Sequence, residues 1–459
     1  MATFSIAYLI LNFCLMPLLE KAMAKRRGYE FVSESNRFIF SDVIKERYRM
    51  RSTDLTRSRK LPFEQLVLCM LKLLRRSLQL ELDSFFKAIG SGVQSITASG
   101  FIQSRRKLSP DLFYDLNVLI ASEYYKDNDE NVTLWKGHRI LAVDGSTVEL
   151  PVNEGMKTVY GTHNNQHKID DVVIGRVSVL YDVLNNIVLD GLLRPIAQGE
   201  VTLSREHLKH TSRGDLIIMD RVYPCFESAY QMQKDGIDFL FRCKTDFSNV
   251  VKAFHLSGAQ EQMVRIRPTQ NRSFKHRPYS KDTTLKVRLI RVELDQGGVE
   301  ILMSSLLDQE KYPYAAFKEL YFKRWKIETF YDRFKNIIGV ECFSGTSEQF
   351  IQQEFNCALY MSNMQTIFTQ EAQQLVDEKC KDRKYEYRVN SSLSLGYIRE
   401  RLIDIYSTRK EPGQLMQELQ ELFIRNPIPI RPGRKNKREP DKFRKRTKPK
   451  QFNNRRNVL

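Results

Sequence analysis

The stretch Ile140-Leu-Ala-Val143-Asp144-Gly145 decides the fold class that this sequence predicts. Four apolar residues followed by an aspartate and a glycine are typical of a short buried strand that enters a turn. Leu216-Ile-Ile-Met219-Asp220 repeats the pattern of an apolar run followed by an aspartate. Side chains at the carboxyl ends of strands in open α/β sheets face the functional crevice, so both aspartates are candidate site residues. An aspartate that caps a turn or a helix is the common alternative for each of them.

The segments around these two runs predict more strands, separated by helices. Residues 177–181 alternate and an apolar run returns at 187–189 after Asn185-Asn186, which predicts a hairpin. The elements predicted after the hairpin are a helix, a strand, a helix and a strand, over 200–210, 216–219, 226–234 and 239–241. This order predicts a mixed sheet with helices covering it.

The segments before and after this region have different sequence patterns. Residues 61–125 have apolar residues at helical spacing. Residues 245–308 are polar and basic, with strands predicted at 284–294 and 299–304, and a long helix is predicted from Pro313 to about Ile338. The predicted domains are a helical N-terminal domain (1–125), a mixed-sheet core (130–244 and 309–380), an inserted β-strand subdomain (245–308), a helical C-terminal region (381–430) and a basic flexible tail (431–459).

The charge of the chain predicts a polyanionic partner. The 459 residues include 73 Lys+Arg against 55 Asp+Glu, a net charge of +18, and 42% are hydrophobic, as in a globular protein. Nucleic acid or an anionic membrane surface would suit this charge. Residues 431–459 carry 13 Lys/Arg and 2 Asp/Glu, or +11, in a segment too polar to fold alone. This tail either binds phosphates or is a solvated extension.

Other site classes have weaker signals. The seven cysteines contain no CxxC pair, which disfavours a zinc ribbon or a disulfide framework and suits a reducing compartment. His163/His167 and His207/His210 have helical ligand spacing, but a zinc site needs three or four ligands. The sequence has no GxxxxGK[ST] motif, so it indicates no nucleotide-driven step.

Residues 4–19 are an apolar run near the N-terminus. No basic residue precedes the run, and it is shorter than the roughly 20 residues of a spanning helix. We interpret it as a packed helix, or as sequence upstream of a later start codon, and we expect no membrane partner. A signal peptide or a membrane anchor is the alternative.

Two aspartates at neighbouring strand ends predict a metal site. Two carboxylates brought together repel each other, and a divalent cation resolves the repulsion. Oxygen ligands favour magnesium or manganese over zinc.

The segment from Tyr321 to Lys335 adds a third group of candidates. In a continuous helix Glu328 falls about 20° and Lys335 about 40° from the direction of Tyr321, and Arg324 lies about 60° away. One helical face would then present a phenol, a guanidinium, a carboxylate and an ammonium. A solvated helix with neighbouring opposite charges is the alternative.

Taken together, these motifs resemble those of DDE transposases, and more narrowly those of the insertion sequence 4 family. The residues that carry the resemblance are Asp144-Gly-Ser-Thr, Asp220-Arg-x-Tyr, Tyr321-x2-Arg-x3-Glu-x6-Lys, Phe101-x2-Ser-Arg-Arg-Lys-Leu and Leu61-Pro-Phe. The match spans roughly residues 60–435 with all motifs in order. One departure is Val222, where the family usually has glycine, and it bears on the turn geometry there.

The resemblance implies a ribonuclease-H-like core interrupted by the β-strand insertion. Asp144, Asp220 and Glu328 would be the catalytic, metal-binding triad. Tyr321, Arg324 and Lys335 would contact DNA phosphates, and Trp325 would lie near the terminal bases unless it is a core tryptophan. Arg105 and Arg106, on a predicted basic helix, are further candidate DNA contacts; an ordinary bundle with a charged exterior is the alternative, and periodicity alone favours it.

The implied function is cut-and-paste transposition of an insertion sequence in a prokaryotic cytoplasm, on the nucleoid. Two Mg²⁺ or Mn²⁺ ions about 4 Å apart would serve hydrolysis at the terminal inverted repeats and joining of the 3′-hydroxyl ends to target DNA. The expected partners are double-stranded DNA and a second copy of the chain in the DNA complex. The alternatives are a metal-dependent endonuclease of the same fold and a DNA-binding protein that has lost catalysis.

Overall fold

The structure is a computed structural model that describes residues 28, 30–56, 61–90, 95–126, 132–162, 172–268, 274, 277–294, 297–406 and 412–431. The apolar run at 4–19, His163, His167 and the tail beyond 431 lie outside these residues. The chain divides into two compact units. The first comprises Met1–Asp127, Leu150–Met156 and Phe334–Leu459, and the second comprises Asn128–Glu149 and Lys157–Arg333.

The helices of the described residues occur throughout the chain. In order they are α1 (30–39), α2 (Asp42–Tyr48), α3 (Phe63–Leu71), α4 (Leu78–Ile89), α5 (Ala98–Arg105), α6 (Asp111–Tyr124), α7 (Glu154–Tyr160), α8 (Glu200–Glu206), α9 (Phe226–Asp235), α10 (Asn249–Ser257), α11 (Ala316–Phe322), α12 (Trp325–Asn336), α13 (Glu348–Cys380), α14 (Ser391–Glu400), α15 (Leu402–Tyr406) and α16 (Pro412–Arg425). Across the stretches that the structure covers, no helix is both long and apolar enough to cross a membrane.

The strands form one large sheet and one small ribbon. They are β1 (Ile140–Leu150), β2 (Val173–Asp182), β3 (Ile187–Pro195), β4 (Leu216–Met219), β5 (Asp238–Cys243), β6 (Glu261–Ile266), β7 (Leu285–Glu293), β8 (Val299–Ser304), β9 (Tyr387–Arg388) and β10 (Ile428–Pro429). The large sheet has eight strands in the order β3-β2-β1-β4-β5-β8-β7-β6, and β9 pairs with β10. The predicted mixed sheet with helices is therefore confirmed.

The centre of the sheet is parallel and apolar. β1 pairs parallel with β4, and β4 pairs parallel with β5. Their residues Leu141–Val143, Ile217–Met219 and Phe239–Phe241 are buried, as expected for strands covered on both faces. The predicted hairpin is confirmed: β2 and β3 pair antiparallel around a turn in which Asn186 has a φ of 58°, a conformation that asparagine tolerates.

The first unit is helical apart from the short β9–β10 ribbon, within the residues that can be described. Its central element is α13, which is buried on all sides along residues 350–368 and packs against α3, α6 and α16. A helix that is buried all round belongs to the interior of its unit. The segment 381–430, predicted as a helical C-terminal region, contains α14, α15 and α16.

Two predicted features of the sheet differ in the structure. β1 does not end at Asp144 but continues to Leu150, because the β-branched Thr147 and Val148 prolong it. The strands of segment 245–308 do not form a sheet of their own: β8 pairs antiparallel with β5, whose edge would otherwise leave its backbone groups unpaired. In the compact units, residues after 334 cluster with the N-terminal helices.

The predicted long helix from Pro313 to about Ile338 is two helices. α11 ends at Phe322 and α12 begins at Trp325. Between them the amide of Arg324 donates to the carbonyl of Tyr321, and that of Ile327 donates to the carbonyl of Arg324, both at 3.0 Å. These i,i+3 bonds tighten the chain relative to an α-helix, so the face calculated for a continuous helix does not apply across this break.

Candidate active site

Asp144 and Asp220 come together through the register of the two central strands. Val143 on β1 lies opposite Met219, the last residue of the parallel β4, so Asp144, inside β1, lies beside Asp220, which follows β4. The amide of Gly145 donates to Asp144 Oδ1 at 2.9 Å, and the buried Tyr331 of α12 donates its hydroxyl to the carbonyl of Asp144 at 2.7 Å. These bonds fix Asp144 and connect β1 to α12.

The carboxyl group of Asp144 has an unusual proton affinity. Its pKa is raised to about 6, mainly by burial, and the nearby carboxylates of Glu328 and Asp220 contribute to the rise. The Gly145 amide and the Arg324 guanidinium oppose this rise in pKa. The contributions of Glu328 and Asp220 show that both carboxylates lie close enough to Asp144 to act on its charge.

Asp220 has three donors around one oxygen. Its Oδ1 accepts from the amide of Arg221 at 2.7 Å, from the hydroxyl of Tyr321 at 3.3 Å and from Nη1 of Arg242 at 3.4 Å. Burial raises the pKa of Tyr321 well above its ordinary value, and the Asp220 charge adds to the shift. Tyr321 therefore remains a neutral donor to Asp220.

Arg324 joins the remaining two carboxylates. Its Nη2 donates to Glu328 Oε1 at 2.9 Å, and its Nη1 lies 3.7 Å from Asp144 Oδ2. Only 4% of the residue is exposed, and its guanidinium carbon lies 5.9 Å from the ring centre of Tyr321 and 5.3 Å from that of Trp325. Its Nε is buried with no hydrogen-bond partner among the described residues. The guanidinium is thus held by carboxylates and aromatic rings on several sides.

The family model of the transposase DDE domain matches residues 135–364, half of the chain. The chain belongs to the DDE transposase family. This confirms the family interpretation at that level, and it makes the enzyme a DNA transposase. A search of curated proteins finds no match. Among solved structures, the chain is similar to the piggyBac transposase in its synaptic complex with hairpin DNA, determined by cryo-electron microscopy, with 10% identity, a TM-score of 0.40 and coverage of 89% of this chain and 86% of that one.

The exposed fractions of two side chains, Trp325 and Val222, answer two questions that the sequence left open. Trp325 is 53% exposed, so it is not the core tryptophan that was the alternative interpretation. Val222, which replaces the family's usual glycine, is 54% exposed and does not have a positive φ. The turn after Asp220 therefore needs no glycine.

The carboxylates of this site are ligands of the kind that bind divalent cations. Asp144, Asp220 and Glu328 offer only carboxylate oxygens, which are the ligands that Mg²⁺ and Mn²⁺ prefer. Among the described residues, no group of three or more His, Cys, Asp or Glu side chains is arranged to hold a metal ion. Arg324 supplies the positive charge shared by Asp144 and Glu328.

Arg105 and Arg106, both predicted to bind DNA, lie in different environments. Arg105 is 1% exposed and donates to Gln353 Oε1 (2.7 Å), Ser344 Oγ (2.9 Å) and the carbonyl of Phe350 (2.7 Å), so its donors are used within the first unit. The prediction that Arg105 contacts DNA is therefore corrected; no sequence signal marks its burial, because basic residues are usually exposed. Arg106, the next residue, is exposed. Lys335 is half-buried on α12, in the part of that helix that belongs to the first unit.

The histidine pair at 207 and 210 is part of the sheet unit's interior. His207 is fully buried, with Nδ1 2.7 Å from Asp190 Oδ2 and Nε2 2.9 Å from Ser178 Oγ. Burial lowers the pKa of His210, and the Asp190 charge acts against it. Both ring nitrogens of His207 are occupied by side chains, so it has no free nitrogen for a metal.

Sequence reasoning missed a second arginine of the site and a neighbouring pocket. Arg242 on β5 contacts Asp220 and, at 3.0 Å, Glu300 on β8. A cavity of about 480 Å³ begins at Pro224-Cys225, just after Asp220, and its wall is aromatic and basic. The aromatic and arginine residues lining it are Phe226, Phe247, Phe274, Tyr279, Arg265, Arg267 and Arg277. The β5–β8 pairing, which has no local sequence signal, places Arg242 near Glu300.

Proposed function

We propose that this DDE transposase serves an insertion sequence: it cuts DNA at the terminal inverted repeats and joins the freed 3′-hydroxyl ends to target DNA. One observation carries the proposal. Arg324 contacts both Asp144 and Glu328, while Tyr321 donates to Asp220. Three separate segments of the chain thus gather three carboxylates, a guanidinium and a phenol, which are the groups that phosphodiester chemistry uses.

The topology of the sheet supports a ribonuclease-H-like core. The strands β3-β2-β1-β4-β5 are consecutive in the sheet, with β3 antiparallel to β2 and with β4 and β5 parallel. Asp144 lies within β1 beside the carboxyl end of β4, which Asp220 follows, and this arrangement suits a site at the carboxyl end of a central strand. The segment 245–308 then acts as an insertion that widens this sheet.

Asp144, Asp220 and Glu328 are the residues that would hold two Mg²⁺ or Mn²⁺ ions. When bound, the ions supply positive charge that activates the attacking oxygen and stabilises the leaving 3′ oxygen. Tyr331 and the Gly145 amide fix Asp144, and Tyr321 and Arg242 orient Asp220.

DNA contacts would come from charged and aromatic groups of both units. Arg324 offers a planar fork to a phosphate, and Lys335 offers a point charge. The exposed Trp325 offers a flat surface to a terminal base. Arg106 extends this set to a helical N-terminal DNA-binding domain over 1–125, whereas Arg105 is dropped from it.

The partners follow from the reaction. Joining two element ends to one target requires two active sites, which favours a homodimer on double-stranded DNA. The spacing Tyr321-x2-Arg-x3-Glu-x6-Lys335 supports membership in the insertion sequence 4 family and thus a prokaryotic, nucleoid-associated enzyme.

The decisive experiment compares wild type with Glu328→Gln on labelled DNA carrying the sequences that flank the gene, in the presence of magnesium. We expect the wild type to release 3′-hydroxyl ends and join them to target DNA. The variant loses cleavage by at least about 10³-fold, because it loses a charged metal ligand, and it retains end binding. Glu319→Gln is the matched control, since this exposed glutamate of α11 pairs with Lys323, and not with a site carboxylate or arginine among the described residues, so its loss should leave cleavage unchanged.

Each alternative function has its own outcome in this experiment. Cleavage by the wild type without joining would indicate a metal-dependent endonuclease. Binding with neither reaction would indicate a DNA-binding protein that has lost catalysis. Cleavage that survives Glu328→Gln would contradict the assignment of the triad.

A further inference from the structure

Arg324 pairs with two of the carboxylates, Asp144 and Glu328, that would hold a metal ion under the proposed function. Its Nη2 lies 2.9 Å from Glu328 Oε1 and its Nη1 lies 3.7 Å from Asp144 Oδ2. A divalent ion held by the same oxygens and the guanidinium would be neighbouring positive charges, which repel each other. They therefore compete for the same pair of carboxylates.

The present position of Arg324 leaves one of its donors unsatisfied. Its Nε is buried and has no hydrogen-bond partner in the described part of the chain, although the residue is only 4% exposed. A buried unpaired donor costs free energy, and a phosphate removes that cost because a guanidinium can present Nε and one Nη to two phosphate oxygens. The side chain is thus better satisfied by a phosphate than by Asp144 and Glu328.

The surroundings of Arg324 offer a route between the two positions. The guanidinium lies against the rings of Tyr321 and Trp325, and Trp325 is 53% exposed. Aromatic faces attract a guanidinium along their whole surface, so it can shift towards solvent while keeping these contacts. Asp220 is not released by this shift, because Tyr321 and Arg242 hold it independently.

We propose that Arg324 acts as an internal counter-ion that hinders metal binding in the DNA-free transposase and withdraws onto a DNA phosphate, so that DNA and metal bind cooperatively. The inference rests on the proposed function, because it takes Asp144 and Glu328 as metal ligands and DNA as the substrate. Coupling between two ligands is reciprocal, so DNA should tighten metal binding by the same factor by which the metal tightens DNA binding. The consequence is that the metal site is completed only when a DNA strand is in place.

The test measures Mn²⁺ binding by the full chain, using the electron paramagnetic resonance signal of free Mn²⁺. Without DNA, Arg324→Gln should bind Mn²⁺ about tenfold more tightly than wild type, since a nearby positive charge shifts the affinity for another cation by about this factor or more. Arg324→Lys should lie between them, because an ammonium pairs with one carboxylate at a time. Lys252→Gln removes an exposed charge of α10 and should match wild type.

A second measurement needs no substitution of Arg324. Adding a duplex with the sequence that flanks the gene should tighten Mn²⁺ binding by the wild type about tenfold. Asp144→Asn with the same duplex gives the background of Mn²⁺ held by DNA itself. Equal Mn²⁺ affinity of the wild type with and without the duplex would overturn the inference, as would equal affinity of wild type and a folded Arg324→Gln. If Asp144→Asn still removes Mn²⁺ binding in that case, the proposed function stands alone; if the wild type binds no Mn²⁺ above background, both fail.

Discussion

The ionised form of Asp144, which a metal site would need, lowers the stability of the folded chain. Its pKa in the folded chain is about 6, raised from an ordinary 3.8 first by burial and then by Glu328 and Asp220. Between pH of about 4 and 6 the folded chain therefore holds a proton that the unfolded chain has lost. Stability must fall as the pH rises through this window, and the penalty is fully present above it.

Asp144→Asn should consequently stabilise the transposase at neutral pH. We expect its free energy of unfolding at pH 7.5 to exceed that of wild type by about 1–3 kcal/mol, and the difference to vanish below pH of about 4. Urea denaturation at the two pH values measures this.

Asp215→Asn is the control with the opposite sign. The buried Asp215 accepts two hydrogen bonds from Arg139, at 2.9 and 2.6 Å, so its loss should destabilise the chain at pH 7.5. A destabilised Asp144→Asn at pH 7.5 would contradict the assigned origin of the pKa shift.

Among the elements, those defined by short-range pattern were predictable and those defined by tertiary contacts were not. The apolar runs at 140–143 and 216–219 predicted strands of the right type, because buried parallel strands need no polar face. The break between α11 and α12 has no such signal, since residues 321–335 contain neither proline nor glycine. It accompanies the burial of Arg324 among carboxylates, which a sequence does not reveal.

The helix α5 shows the same difference between neighbouring residues. Arg105 forms a buried ion pair with Glu354 of α13 at 2.9 Å and lies over the ring of Phe350, whereas Arg106 faces solvent. Arg105→Ala should destabilise the transposase by about 3–5 kcal/mol, because it leaves the Glu354 charge buried without this partner. Arg106→Ala should change stability by less than about 0.5 kcal/mol. Thermal unfolding of both variants measures this, and equal stabilities would show that Arg105 does not anchor α5.

For the whole molecule, local patterns in the sequence indicated candidates for the site but not the contacts among them. Asp144, Asp220 and Glu328 were candidates because each follows a rule of local pattern or family motif. The contribution of Arg242 was missed because it depends on the order of strands in the sheet, in which β5 lies between β4 and β8. The grouping of residues after 334 with N-terminal helices has no local signal either, because it depends on contacts distant in sequence.

The distribution of charge over the whole chain leads to a last prediction. Of the net charge of +18, the segment 431–459 contributes +11, so most of the long-range attraction to a polyanion would come from a small part of the chain. Deleting this segment should weaken DNA binding and flatten the slope of log affinity against log salt by about 0.9 for each phosphate that the protein no longer neutralises, because fewer counterions are released. Filter binding at several salt concentrations measures both.

A variant of full length with the tail's Lys and Arg changed to Gln should match the deletion, since charge rather than chain length causes the effect. Unchanged affinity and slope in both variants would mean that the tail is a solvated extension, and that DNA is held by the remaining +7 alone.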